Sequence, residues 1–172
     1  MTELLPSVAA AVAAHGLDVE VLACDPELAD TAEFCDHYGF ALDDAANTIL
    51  VTSKKVDPPL RAVCVVLGTT RLDVNKVCRE RLGVKRISFA DAETTAELTG
   101  MEIGGVTAPG IDGLPLWIDA AVLDRVRVVM GGGNRSSKLV LAPAELLKLP
   151  SAEVVAGLAN PLMTDPNPDG TG

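Results

Sequence analysis

Between Gly100 and Gly110 the chain reads Gly-Met-Glu-Ile-Gly-Gly-Val-Thr-Ala-Pro-Gly, with four glycines and one proline. Glycine weakens the interior of a helix or strand, and proline removes a backbone donor and locks φ. The segment therefore excludes a continuous regular element through the middle of the chain. Any fold must place its helices and strands on either side of a loop lined by its own backbone. Glycine also lets a ligand or a second backbone come close, and successive N–H groups in such a loop can form a concave site for oxygen. Taken alone, the same pattern also describes a connecting turn. Its flanks decide the weight.

Those flanks carry regular signals. Leu4–Ala14 is Ala/Val/Leu-rich and predicts a helix stopped by Gly16. Val19–Ala23 alternates like a short strand, and Thr31–Tyr38 predicts a helix closed by Gly39. Thr48–Thr52 is β-branched and predicts a strand, followed by a turn at Val56-Asp57-Pro58-Pro59. Arg61–Leu67 is an unbroken apolar run between Pro59 and Gly68, the pattern of a strand buried on both faces. Asp73 suits the N-cap of a helix ending at Gly83, with Leu72 and Val77 placed for a hydrophobic staple. Arg86–Phe89 predicts a strand, and Asp91 caps a helix to Thr99.

Beyond the loop, Leu114–Ile118 predicts a strand and Asp119–Leu123 a helical turn. Val126–Met130 and Lys138–Leu141 predict strands joined by Gly131–Ser137, which reads as a mobile hairpin loop. It has neither the strand-to-helix setting nor the Lys-Ser/Thr of a phosphate-binding loop. Pro143 suits the first turn of a helix through Leu147. The sum is an α/β fold: one domain over residues 1–164 with a mixed β-sheet flanked by helices. Residues 1–30 read as an N-terminal extension, and the Pro/Asp/Asn/Gly tail 165–172 as disordered.

The chain has 172 residues, the size of one ordinary domain, and 48% of them are hydrophobic. Aromatics make up only 3%, so the core must be built from Val, Leu, Ile and Ala. No apolar run spans a bilayer and no basic flank marks a signal peptide, so a cytoplasmic location without membrane contact is expected. The net charge of −10 argues against a protein that coats nucleic acid through phosphate contacts. It leaves room for one that holds only a nucleic-acid end through a local patch. Arg125, Arg127, Arg135 and Lys138 form one basic group, and Lys54-Lys55 with Arg61 another. The cysteines at 24, 35, 64 and 78 and the histidines at 15 and 37 have no metal-ligand spacing, so neither a metal nor a cofactor is expected. A thiol mechanism through Cys64 or Cys78 has little support, because both lie in apolar segments.

From Thr31 to Leu147 the ordered segments resemble the YbaK/prolyl-tRNA-synthetase-associated family of aminoacyl-tRNA editing domains. The resemblance rests on Thr31–Val51, the buried run Arg61–Leu67, the helix Asp73–Gly83 and Val84–Ala90. It continues through Leu98-Thr99-Gly100, Gly104–Gly110, the hairpin Val128–Leu141 and Pro143-Ala144-Glu145-Leu146-Leu147. It implies metal-independent hydrolysis of the ester joining a wrong amino acid to the tRNA 3′ end. The partner it implies is an aminoacylated acceptor end, and a homodimer is left open. On this resemblance the N–H groups of Gly104, Gly105 and Val106 stabilise the developing oxyanion. Thr48, Thr107, Pro109, Gly110 and Lys54 contact substrate, and Arg125, Arg127, Arg135 and Lys138 contact phosphates. A second checking site makes physical sense, since one methylene discriminates by only ~1–3 kcal/mol.

The sequence departs from the family pattern twice. The lysine of a Lys-Thr-Leu-like motif falls on Asn47, within Asn47-Thr48-Ile49, and asparagine carries no charge. The loop proline also sits one place late, in Thr107-Ala108-Pro109. Two functions follow: a trans-acting deacylase in which Asn47 still contributes, or a module that binds aminoacyl groups without hydrolysis.

Overall fold

Strand β3 (Arg61–Leu67) is the middle of the larger sheet, and its side chains enter two different cores. Val63, Val65 and Leu67 pack into one cluster, while Ala62, Cys64 and Val66 pack into the other. A run apolar at every position is what a strand covered on both faces requires. Each fully buried Val or Leu side chain contributes about 1.5–3 kcal/mol relative to exposure. That burial, more than any local propensity, anchors the sheet.

The computed structural model describes residues 3–162. The tail expected to be disordered, 165–172, lies outside the described residues. The remaining elements are α1 (Pro6–Ala14), β1 (Glu20–Ala23), α2 (Thr31–Tyr38), β2 (Ala46–Ser53) and β4 (Thr70–Leu72). After them come α3 (Arg79–Leu82), β5 (Ile87–Phe89), α4 (Ala92–Thr99), β6 (Leu116–Asp119), α5 (Ala120–Leu123), β7 (Val128–Gly131), β8 (Ser137–Leu141), β9 (Ala152–Val155) and β10 (Ala159–Pro161). A π-helical turn, Val74–Cys78, leads into α3, and Pro143–Lys148 is a 3₁₀ segment where an α-helix was expected.

The larger sheet has the order β5-β2-β3-β6-β9, antiparallel on the β2 side and parallel from β3 to β9. This is the mixed sheet flanked by helices that the sequence predicts. A second sheet, β1-β8-β7, is antiparallel and meets the first where Ala45 bridges Val129. The short strands β4, β9 and β10 carry no alternation that a sequence reading could use. β9 adds to the β6 edge of the larger sheet, and β4 and β10 pair only with each other.

Capping follows the sequence closely. The Asp91 carboxylate accepts from the Thr94 N–H at 2.7 Å, and Asp73 accepts from Lys76 N–H at 3.1 Å. The segment read as an N-terminal extension is woven into the domain. β1 pairs with β8, Val8 is fully buried, and Leu5 N–H donates to Gly132 O at 3.0 Å.

Candidate functional site

A cavity of about 400 Å³ opens where the start of β2, the turn before α2, the end of β5 and the glycine loop converge. Asn47 and Thr48 reach it from β2, Asp30 and Thr31 from the start of α2, and Gly104 and Val106 from the loop. Lys138 completes the polar wall from β8. Leu50, Ala90 and the α4 residue Thr95 also line it.

The loop keeps its shape by interlocking with the β7–β8 hairpin. Gly133 N–H donates to Gly105 O at 2.7 Å, and Glu102 N–H donates to Gly133 O at 2.9 Å. The Glu102 carboxylate in turn accepts from Arg135 N–H at 2.8 Å. A Cβ on Gly105 would overlap the Asn134 backbone, and one on Gly131 would overlap the Gly105 carbonyl. Glycine stands at these positions because backbone passes against backbone. The hairpin read as mobile is thus fastened to the loop.

Arg135 is the second fastening. Its Nη1 donates to Ile103 O at 2.8 Å and to Asp30 Oδ1 at 3.1 Å, and its Nε donates to Pro26 O at 2.9 Å. One guanidinium fork therefore joins the hairpin, the glycine loop and the approach to α2. Arg135→Ala is expected to destabilise the fold by about 1–2 kcal/mol, because these contacts are partly exposed. The check is a melting temperature lowered by roughly 2–8 °C for a chain of this size. Faster amide exchange should accompany it at 102–105.

The loop offers two of the three expected donors. The N–H groups of Gly104 and Val106 have no protein acceptor among the described residues, and both residues line the cavity. Gly105 differs: its N–H donates to Glu102 O at 2.8 Å, closing a turn, and its Cα faces Asn134. It holds the loop and is not an available oxyanion donor.

Lys138 is the residue whose surroundings differ most from its sequence reading. Expected as a surface phosphate contact, it is only 6% exposed, on the central strand of the second sheet. Its Nζ donates to Ala29 O at 2.6 Å and to Gly104 O at 3.1 Å, and sits 5.3 Å from the centre of the Phe34 ring. No carboxylate lies within ion-pair distance of it among the described residues. Burial holds its ammonium below the usual lysine range. A cation desolvated to this degree and met only by carbonyls favours an anion or a developing negative charge beside it.

The other sequence candidates divide. Asn47 accepts from Thr31 Oγ1 at 2.7 Å through Oδ1, which leaves its amide N–H groups for the cavity. Thr48 is on the wall, with a buried hydroxyl that has no partner among the described residues. Thr107 is fully buried, and its N–H points to the Met101 sulfur at 3.4 Å. Pro109 and Gly110 are absent from the wall; Gly110 packs against the Ser7 carbonyl of α1. Lys54 lies past the far end of β2, where its N–H donates to Arg86 O. Arg125 pairs with Asp44 at 2.9 Å, and Arg127 lies 5.1 Å from the Phe40 ring centre. Asp30, which the sequence reading passed over, is the one carboxylate among the wall residues. Cys64 and Cys78 are fully buried with sulfurs 4.0 Å apart, and that sulfur contact, reinforced by burial, raises the Cys64 thiol. Neither belongs to the cavity wall.

Residues 25–149 match a family model described as an aminoacyl-tRNA editing domain. Among solved structures, the chain is similar to a hypothetical protein, with 27% identity and a TM-score of 0.78 over 90% of this chain and 99% of that one. It is also similar to a protein described as "a putative trans-editing enzyme for prolyl tRNA synthetase". There the identity is 26% and the TM-score 0.75, over 90% of this chain and 98% of that one.

Proposed function

The chain belongs to the aminoacyl-tRNA editing domain family, and from that premise we propose that it is a trans-acting deacylase that hydrolyses the ester of a mischarged tRNA. The observation carrying this reading is the pairing of two free loop N–H groups with the buried Lys138 cation at one cavity. Water attacks the ester carbonyl carbon, and the carbonyl π electrons move to oxygen. The tetrahedral oxyanion is stabilised by Gly104 and Val106 N–H, in a field made more positive by Lys138. Collapse expels the ribose oxygen, which takes up a proton, and frees the amino acid. Donors fixed before reaction need no reorganisation as the charge appears, which is why such sites are effective.

Lys138 answers the loss of charge at Asn47. Its ammonium enters the same cavity from a different strand and is not sequence-adjacent to the Asn-Thr-Ile segment. Asn47 is left to position the attacking water or the terminal ribose through its amide N–H groups. The tRNA's own terminal hydroxyl is the proposed proton relay, taking a proton from the attacking water as it passes its own to the departing ribose oxygen; no histidine lines the wall. Asp30, whose Oδ1 accepts from Arg135, is the group we assign to face the α-ammonium of the aminoacyl group.

The test is a deacylation assay on tRNAs carrying alanine, serine, cysteine or proline. Wild type is expected to hydrolyse at least one of them. Asn47→Ala should lower the rate by about tenfold to a hundredfold, as for loss of one positioning contact. Asn47→Lys should not raise it, because a second cation would sit near Lys138 in a cavity whose one wall carboxylate, Asp30, already holds Arg135. A large gain in Asn47→Lys would instead mark a binding module that has lost its chemistry. No hydrolysis of any of the four would remove the deacylase reading.

A further inference from the structure

A second cavity, of about 440 Å³, lies past the far end of β2. Lys54, Lys55, Lys85 and Arg86 line it together with Val56 and Leu60, and no carboxylate is among its wall residues. None of the four cations forms an ion pair among the described residues. In a chain of net charge −10 with 14 lysines and arginines, four unpaired cations around one groove are a local reversal of sign. Solvated basic faces usually scatter or pair with acids. This one is concave and converges from two segments, the β2 end and the α3–β5 connection.

β5 is the edge strand of the larger sheet. Ala90, just after β5, lines the first cavity, and Arg86, just before it, lines the second. Four residues at ~3.3 Å per residue separate them by ~13 Å. Stacked nucleotides advance ~3.4 Å each along one strand, so about four of them cover that length. We propose that this groove binds the phosphodiester backbone of a tRNA near the base of its unpaired 3′ end, while the terminal nucleotide occupies the first cavity. The proposal rests on the deacylase reading for which end of the RNA lies where. Its ligand chemistry, a run of phosphates, rests on the groove alone. Phosphate contacts of this kind position an RNA without reading its sequence.

The experiment measures binding of unfractionated deacylated tRNA over a salt series, for wild type and for the combined variant Lys55→Ala, Lys85→Ala, Arg86→Ala. Circular dichroism confirms that the variant is folded. The variant is expected to bind at least about tenfold more weakly, with the slope of log affinity against log salt reduced by about two to three, near 0.7–0.9 per lost contact. Its turnover of an aminoacylated terminal adenosine, too short to reach the groove, should equal wild type. A wild type that binds tRNA with this groove-dependent slope but hydrolyses no aminoacyl ester removes the deacylase reading and leaves the groove. Hydrolysis with tRNA affinity and slope unchanged in the variant removes the groove and leaves the deacylase. Wild type that binds no tRNA overturns the proposal. So does stoichiometric capture of polyglutamate with no groove-dependent tRNA slope, which would make the groove a site for an acidic protein.

Discussion

Replacing Lys138 with methionine is expected to slow deacylation by about 10²–10³-fold, the range seen when one preorganised donor to an oxyanion is removed. Methionine keeps most of the volume and deletes the ammonium. The carbonyls of Ala29 and Gly104 lose their donor, at about 1–3 kcal/mol for each group left unsatisfied. Against this, the variant no longer buries a cation without a carboxylate partner. The two effects oppose each other, so the melting temperature should move by less than about 8 °C in either direction. A large rate loss on a nearly unchanged fold is the signature to look for. An unchanged rate would remove Lys138 from the chemistry.

The same residue predicts a pH response in which activity and stability part. Burial lowers the Lys138 pKa in the folded protein relative to the unfolded chain. As pH rises through the folded value, the cation is neutralised and the activity that depends on it falls. Between the folded value and the ordinary lysine value, the unfolded chain binds more protons than the folded one. Stability from this group therefore rises with pH in that window. The opposing trends are measurable by subtracting uncatalysed ester hydrolysis at each pH and by following denaturant midpoints over the same range.

Gly105→Ala should be the most damaging single change in the loop. The new Cβ would meet the Asn134 backbone, not a side chain that can swing away. Overpacking of this kind costs typically 1–3 kcal/mol and occasionally more. With backbone on the far side, a value of at least about 3 kcal/mol is expected, or a melting temperature lowered by roughly 6–12 °C. Gly100→Ala is the companion measurement. There φ is +71° but nothing lies within 4 Å of the added carbon, so only the conformational cost of about 1–2 kcal/mol should appear. Equal losses at the two positions would contradict the interlock with the hairpin. A fall in deacylation by Gly105→Ala would accordingly report loop collapse rather than loss of a donor.

Local chemistry made much of the fold legible. Glycine stops at Gly39, Gly83 and Gly100 and the acidic caps at Asp73 and Asp91 act over a few residues, so the elements beside them fall where the sequence puts them. The unbroken apolar run of β3 needs cover on both faces, and that requirement set the mixed, buried sheet. The glycine loop announced a backbone-lined site for the same reason: only glycine admits so close an approach.

What the sequence left open depended on partners distant along the chain. Gly104, Gly105 and Val106 look alike as donors until Glu102 and Asn134 are seen to occupy Gly105. Lys54 and Asn47 lie on one short segment, yet an extended strand holds them at opposite ends and gives them to different cavities. Lys138 reads as one more member of a basic group because charge counts carry no depth. One signal was present: it stands in a strand whose other residues are all buried and which runs on into Leu-Val-Leu, where a lysine must find partners or a function. Which of those it found was decided by β1 and β7 closing on either side of β8, and by the loop that carries Gly104 to its ammonium. Local propensity and periodicity are written in neighbouring residues. The meeting of Asn47, Gly104 and Lys138 is made by packing across the whole chain.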